Sequence, residues 1–304
     1  MKKLVVIFLV LISLSGFAQT RRALVVGIGT YPEASGWNMI HGDNDVGIIC
    51  SMLEKAGFED DNVQSLVNEQ ATFANIVSGL AGLSKEAGRG DVIYIHLSGH
   101  GQLMTDLNGD EPDNLDESFV PYDAAKIYGK DTGDTHLTDD ILNAALLAIR
   151  RKIGPEGRLL TVIDACHSGS GARREVVFGG ETNSKGYYGS SPSERDCIRG
   201  TSSVFTIPAR GTSPFQKENK TAGICIYACA ADEYNFELNA GGHYYGRLSS
   251  ILYHILEANP GISVSGLEAK VREEMGHLSN RFVQTPVFEY EEGIDLNSTV
   301  LGRL

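Results

Sequence analysis

Residues 91–101 (DVIYIHLSGHG) decide the fold. They begin as a near-continuous run of apolar, β-prone residues, which is typical of a strand buried on both faces of a parallel sheet. Three similar runs lie at residues 23–28, 158–163 and 223–228. Together the four runs predict the central strands of one largely parallel sheet, and residues 60–67 are a candidate for a further strand.

Helix-like stretches lie between and after these runs, and several of them end at a glycine. They cover residues 44–56, 72–87, 138–153, 245–258 and 263–277. The alternation of strands and helices predicts the α/β class: an open, mostly parallel sheet flanked by helices on both faces.

The N-terminal residues have the pattern of an export signal. Lys2 and Lys3 precede an apolar run at residues 4–14, and small residues follow it. The run is too short for a stable membrane span, which needs ~20 residues. We therefore expect a signal peptide at residues 1–18 and an exported protein, periplasmic or extracellular, with no stable membrane anchor after signal removal. The alternative is a short membrane anchor.

The composition of the full sequence restricts the class of the protein. The 304 residues are 42% hydrophobic and 21% charged, as in ordinary soluble globular proteins. A formal net charge of −13 argues against nucleic-acid binding. Five cysteines are too few, and odd in number, for a disulfide framework. We expect one domain at residues 19–304 with a flexible insertion at about 171–221, a Gly- and Ser-rich stretch; a domain boundary there is the alternative.

Two of the predicted strands are followed by a reactive side chain in a short segment that contains glycine. His100 follows the strand at 91–97, and Cys166 follows the strand at 158–163. Because the carboxyl ends of parallel strands meet at one edge of a sheet, we expect the two side chains to lie close together. An imidazole can take the proton of a thiol, and backbone N–H groups beside the glycines can stabilise an oxyanion. The pair predicts acyl transfer, although each residue alone could be a core Cys or a surface His.

Histidine spacing raises a second possibility, a zinc site. His96 lies four residues before His100, and His167 adjoins Cys166. No Cys-x-x-Cys pair accompanies them, and a structural zinc site needs four ligands in a closed cluster. We therefore expect His96 to pack within its strand.

The blocks Ser98-Gly99-His100-Gly101 and Asp164-Ala165-Cys166-His167-Ser168-Gly169 resemble, in this order, the caspase-like peptidases and most of all the bacterial metacaspases. The resemblance extends from the first strand to Gln284-Thr285-Pro286. It implies a caspase–haemoglobinase fold and a cysteine endopeptidase with His100 as the base and Cys166 as the nucleophile. It also implies an oxyanion hole made by the backbone N–H groups of Gly101 and Cys166.

The same resemblance implies a specificity. Metacaspases cut after Arg or Lys, and the matching positions here are Asp164 and Asp45, with Ser98 lining the pocket. Two carboxylates facing a cationic side chain favour such substrates. The expected partners are thus proteins or peptides with Arg or Lys at the cleavage site, and no cofactor is required. The alternative for Asp45 is an ordinary acid at a helix start.

An acidic run at residues 106–117 invites a calcium hypothesis, because hard oxygen ligands suit Ca²⁺. Glu111 stands where a helix–loop–helix calcium loop needs Gly. Many metacaspases bind activating Ca²⁺ near this segment, and the resemblance makes Asp116, Asp139 and Asp140 ligand candidates. Ca²⁺ is accordingly a possible activator; a solvated acidic loop is the alternative.

Two further hypotheses concern activation and class. Basic residues such as Arg173 and Arg174 in the insertion offer sites for self-cleavage, as in caspase relatives. The chain could also be a clostripain- or gingipain-like protease of the same clan, or a catalytically silent caspase-like module for binding or regulation.

Overall fold

The computed structural model describes residues 19–105, 115–126, 134–165, 222–230, 233–276, 283–291 and 293–302. The predicted signal peptide, the insertion at 171–221 and the candidate nucleophile Cys166 lie outside these residues.

Eleven strands occur in the described part of the chain. They are β1 (Arg21–Gly27), β2 (Val63–Val67), β3 (Val92–Ser98), β4 (Gly101–Thr105), β5 (Leu115–Phe119), β6 (Leu137–Thr138), β7 (Arg158–Asp164), β8 (Ala222–Tyr227), β9 (Glu237–Ala240), β10 (His243–Gly246) and β11 (Val287–Tyr290).

Six of these strands form the central sheet, in the order β11-β8-β7-β3-β1-β2. Strands β2, β1, β3, β7 and β8 pair in parallel, and β11 adds an antiparallel edge beside β8. The four predicted central strands and the candidate strand at 60–67 are confirmed. The edge strand β11 was not predicted, because four residues with intermediate burial give no strong apolar run.

Five helices in the described residues cover the two faces of this sheet. They are α1 (Gly42–Lys55), α2 (Phe73–Glu86), α3 (Asp139–Ile153), α4 (Arg247–Ala258) and α5 (Val264–Gly276). Apolar side chains of α1, α4 and α5 share one core cluster, and those of α2 and α3 share the other. The predicted class, an open sheet with helices on both faces, is confirmed.

Strand β1 shows why the apolar runs are continuous. Ala23 and Val25 belong to the core cluster of α1 and α4, whereas Leu24 and Val26 belong to that of α2. Successive side chains of a strand point to opposite faces, so a strand covered by helices on both sides needs apolar residues at every position.

Two small antiparallel sheets extend this layout: β4-β5-β6, and the hairpin of β9 and β10. Strand β4 begins directly after His100, and β10 leads directly into α4. The predicted helix start at residue 245 was wrong by two residues, because Tyr245 and Gly246 pair with β9. No helix in the described ranges has the length and hydropathy that crossing a membrane requires.

Gly42 brings the first turn of α1 against the sheet. A Cβ atom at this position would lie 2.7 Å from the carbonyl oxygen of Ser98 and 2.8 Å from that of Ile28. Both obstacles are backbone atoms, which cannot rotate away as a side chain could. Glycine at position 42 therefore lets α1 reach the ends of β1 and β3, where the candidate site lies.

Candidate active site

His100 lies two residues after the end of β3 and is only 2% exposed. Its Nε2 atom is 2.9 Å from the backbone carbonyl oxygen of Asn38. A carbonyl oxygen can only accept a hydrogen bond, so Nε2 carries the proton of the neutral ring. The lone pair is then on Nδ1, the atom that can take a proton from a nucleophile.

Two aromatic side chains hold the His100 ring. The Trp37 ring stacks on it, with a centroid separation of 4.9 Å and an interplanar angle of 27°. The Tyr31 ring lies 5.3 Å away, and its hydroxyl accepts a hydrogen bond from the His100 backbone N–H at 3.2 Å. Trp37 is fixed in turn, since its Nε1–H donates to the carbonyl oxygen of Ala124 at 3.1 Å. The imidazole orientation is thus set by packing as well as by the bond to Asn38.

Asp45 lies in the first turn of α1 and is completely buried. Its carboxylate accepts hydrogen bonds from the hydroxyl of Ser98 and from the backbone N–H of Gly246, the latter at 2.8 Å. Asp45 therefore connects α1 to the end of β3 and to the start of α4. This arrangement goes beyond that of an ordinary acid at a helix start.

Asp164 ends β7 and is also completely buried. Its Cα is the register partner of Ser98 on the neighbouring strand. Asn235 Nδ2 donates to one carboxylate oxygen at 2.6 Å, and Ser249 donates to the other through its backbone N–H at 2.8 Å and its hydroxyl at 2.5 Å. The Gln284 amide donates to Asn235 Oδ1 at 2.7 Å, which fixes the Asn235 amide with its NH₂ group toward Asp164.

The first turn of α4 binds both carboxylates. Gly246, the residue before α4, donates its N–H to Asp45, and Ser249, the third residue of α4, donates its N–H to Asp164. The first N–H groups of a helix have no partner within the helix, and the helix dipole favours negative charge at that end. One helix terminus thus stabilises two acids from different parts of the chain.

The structure brings together the three residues predicted for the substrate pocket: Asp45, Ser98 and Asp164. His100 follows Ser98 by two residues, and Gly101 is the first residue of β4. Cys166, two residues after Asp164, lies outside the described residues, so its distance from His100 stays a prediction.

The calcium candidates are described only in part. Asp139 and Asp140 open α3, and Asp116 belongs to β5, but its side chain lies outside the described atoms. Because Ser118 of β5 pairs with Thr138, the three acids fall in adjoining segments. Among the described residues, no group of three or more His, Cys, Asp or Glu side chains could hold a metal ion. The calcium site therefore stays a prediction.

Sequence reasoning missed the residues that support the acids and the imidazole. Asn38 acts through its backbone, which leaves no signal in the sequence. Trp37 did carry a sequence signal, since it is the single tryptophan of the chain and lies in a polar segment. Ser249 also had one, as a polar residue in a helix that is otherwise largely apolar on its buried face.

Comparisons with known proteins identify the family of this chain. A family profile described as the metacaspase, peptidase C14 domain matches residues 21–173. Metacaspase-1B of Aspergillus oryzae is 33% identical over 166 residues, 52% of this chain and 36% of the relative. Metacaspase-1A of the same species is 26% identical over 299 residues, 88% of this chain and 67% of the relative. The alignments thus span about a third of the first relative and two thirds of the second.

A solved structure shares the fold. The crystal structure of a Geobacter sulfurreducens protein matches with a TM-score of 0.62, covering 94% of this chain and 99% of that chain. The sequence identity is 19%, so this likeness concerns the fold alone.

Proposed function

Since the chain belongs to the metacaspase family, peptidase C14, we propose that it is a cysteine endopeptidase that hydrolyses peptide bonds after Arg or Lys. The substrates are proteins or peptides with a basic residue at the cleavage site. Cys166 is the nucleophile and His100 the base.

One observation carries the proposed specificity: two completely buried carboxylates, Asp45 and Asp164, lie on either side of Ser98 at the carboxyl edge of the sheet. Burying charge is costly unless the surroundings compensate for it. Neutral donors hold both acids in place, and a guanidinium or ammonium group would supply the opposite charge. An acidic substrate side chain would be repelled there.

The proposed chemistry follows from the tautomer of His100. Nδ1 takes the proton of the Cys166 thiol, and the thiolate attacks the scissile carbonyl carbon. His100 then gives the proton to the leaving amine as the C–N bond breaks. Water, deprotonated by the same imidazole, hydrolyses the thioester and restores the thiol. The bond to the Asn38 carbonyl also stabilises the ring when it is positively charged.

The primary test uses matched fluorogenic peptides ending in Arg, Lys, citrulline or Asp. We expect cleavage after Arg and Lys, and its loss in Cys166→Ala. Citrulline has nearly the shape of Arg without its charge, so poor cleavage after citrulline would trace the preference to the acids. Cleavage after Asp alone would refute the specificity. Inactivity of a folded, reduced protein toward every peptide would instead favour the silent binding module.

A second test addresses the acids directly. We expect Asp164→Asn to lower kcat/KM for the Arg peptide about 100- to 1,000-fold, because a cation would lose a buried charge partner. Asp45→Asn should act in the same direction. The exposed Asp61, changed to Asn, is the control for a general loss of negative charge. Equal kcat/KM values in Asp164→Asn and Asp61→Asn would contradict the pocket assignment.

We also propose export and calcium activation, each with its own measurement. The Lys2-Lys3 start and the apolar run support export with removal of residues 1–18. N-terminal sequencing of the exported protein should then begin at Gln19.

For calcium activation, the peptide assay is repeated with Ca²⁺ and with a chelator. Unchanged rates would contradict calcium activation. They would favour the alternative, in which the acidic run is a solvated loop and the enzyme requires no cofactor.

Self-cleavage in the insertion is the last part of the proposal. Arg173, Arg174 and other basic residues of this segment fit the proposed specificity. Incubation of active enzyme should produce fragments that end at these residues, and Cys166→Ala should stay intact. An unchanged intact mass of the active enzyme would contradict self-processing.

A further inference from the structure

A buried hydrogen-bond chain leads from Asp164 into the core beside the sheet. The Ser249 hydroxyl donates to Asp164 Oδ2 at 2.5 Å, and the same Oγ lies 3.0 Å from His96 Nε2. His96 Nδ1 lies 3.0 Å from the Tyr94 hydroxyl. All four side chains are completely buried. The acid at the edge of the sheet is therefore linked to three polar groups behind it.

Chemistry fixes the direction of each bond. A serine hydroxyl has one proton, and Ser249 gives it to the carboxylate, so its oxygen accepts from His96 Nε2–H. When the His96 imidazole is uncharged, its Nδ1 accepts from the Tyr94 hydroxyl. Burial raises the pKa of Tyr94, and the charge of Asp164 adds to this, so the phenol keeps its proton. Every O–H and N–H group of this hydrogen-bond chain then points toward Asp164.

The residue types argue for a role beyond packing. His96 lies between Ile95 and Leu97 in a strand where an aliphatic side chain would avoid the cost of burying an imidazole. Hydrogen bonds aligned in one direction polarise and strengthen one another in a low-dielectric interior. Here they converge on one carboxylate oxygen, while Asn235 holds the other. The plane of the Asp164 carboxylate is thus fixed before any substrate arrives.

We infer that Ser249 and His96 are positioning residues for specificity, which orient the Asp164 carboxylate toward the basic side chain of the substrate. This inference rests on the proposed cleavage after Arg or Lys. In this role His96 neither binds a metal nor transfers a proton. Tyr94 ends the chain and keeps the His96 tautomer that donates toward Ser249.

The decisive variant is Ser249→Ala, which removes the hydroxyl and keeps the backbone N–H that binds Asp164. Loss of a hydrogen bond to a charged group predicts a KM for the Arg peptide about 10- to 100-fold higher, with kcat within about twofold of wild type. The rate at which iodoacetamide, small and uncharged, inactivates the enzyme should also stay within about twofold, because it does not need the acids. Ser250→Ala removes the same atom from the next residue of α4 and is the matched control.

Variants of Tyr94 and His96 extend the test along the hydrogen-bond chain. Tyr94→Phe keeps the shape of the ring and should raise KM about 2- to 5-fold. This is less than for Ser249→Ala, because Tyr94 lies two hydrogen bonds farther from Asp164 than Ser249 does. His96→Gln keeps an amide N–H that can donate toward Ser249, whereas His96→Leu cannot donate. The Gln variant should therefore have the lower KM of the two. Circular dichroism establishes that each variant is folded.

The outcomes separate the inference from the proposed function. If wild type cleaves neither Arg nor Lys peptides, the proposed specificity is wrong and the inference is wrong with it. If wild type cleaves them and Ser249→Ala has the KM of Ser250→Ala, the specificity stands and the inference is wrong. A parallel loss of kcat and iodoacetamide reactivity would show a structural role instead. If Ser249→Ala does not fold, the KM values of Tyr94→Phe and His96→Gln decide by the same criteria.

Discussion

The indole ring of Trp37 stacks on the imidazole of His100, with ring centroids 4.9 Å apart. Asn38, the next residue, supplies the carbonyl that accepts the Nε2 proton of the same imidazole. One short segment between β1 and α1 therefore sets both the position of the ring and its tautomer.

Replacing Trp37 tests this control of the imidazole. We expect Trp37→Ala to lower kcat about 10- to 100-fold, because the ring gains freedom to leave its reactive orientation. Trp37→Phe keeps an aromatic face and should retain more activity. Steady-state kinetics on the Arg peptide would measure both variants, with thermal melts to exclude unfolding. Equal kcat values for Trp37→Ala and wild type would contradict the positioning role.

The close approach at Gly42 predicts a loss of substrate affinity from a single methyl group. Gly42→Ala would place a Cβ against two carbonyl oxygens and displace the first turn of α1, which carries Asp45. We expect KM for basic peptides to rise and the melting temperature to fall. Gly47→Ala is the control on the same helix, because a Cβ there meets no atom within 4 Å. That change should stabilise the protein by about 1 kcal/mol. Identical effects of the two substitutions would refute the argument.

Thiol reactivity should distinguish the buried cysteines from Cys166, the candidate nucleophile. Burial raises the pKa of Cys225 to about 12, and its side chain is 3% exposed. Cys229 is equally inaccessible. We expect iodoacetamide to modify neither residue in the native protein between about pH 7 and about pH 9, the ordinary range for thiol alkylation. Mass spectrometry after brief labelling would check this, with guanidinium-unfolded protein as the control in which all five cysteines react. Native labelling of Cys225 would contradict the buried placement.

Glu289 predicts a pH-dependent contribution to stability. Burial raises the pKa of this carboxyl, against an opposing hydrogen bond from Tyr227. The folded state therefore favours the protonated form, and the free energy of unfolding falls as pH rises from the ordinary carboxyl pKa to the raised one. Glu289→Gln should melt at a higher temperature than wild type near about pH 7. The difference should shrink below about pH 4, where the Glu289 carboxyl is protonated in both the folded and the unfolded state.

Exposed Glu69 provides the comparison for Glu289. Glu69→Gln removes one charge from the surface and should leave the melting temperature almost unchanged at either pH. Thermal denaturation of the three proteins at both pH values would measure the effect. A lower melting temperature of Glu289→Gln at neutral pH would show that the ionised carboxylate stabilises the fold.

The central sheet could be predicted from the sequence because its strands are buried on both faces, as Ala23–Val26 shows residue by residue. Short strands with one exposed side carry no such pattern, which is why β9, β10 and β11 were not foreseen. His100 was identified from its position after a predicted strand, whereas Asp45, Ser98 and Asp164 were identified through the resemblance to metacaspases. The residues that hold these side chains in place were not predicted. Asn38 and Gly246 act through backbone atoms, whose roles depend on tertiary structure rather than on residue type.

The first turn of α4 has a consequence for the order in which the protein is made. Asp45, Ser98, His100 and Asp164 all precede residue 165, but Gly246, Ser249 and Asn235 come from the last quarter of the chain. A ribosome has therefore synthesised His100 and both acids long before the helix that holds the acids emerges. A nascent chain therefore cannot form the hydrogen bonds that hold Asp45 and Asp164 until α4 has folded and docked against the sheet.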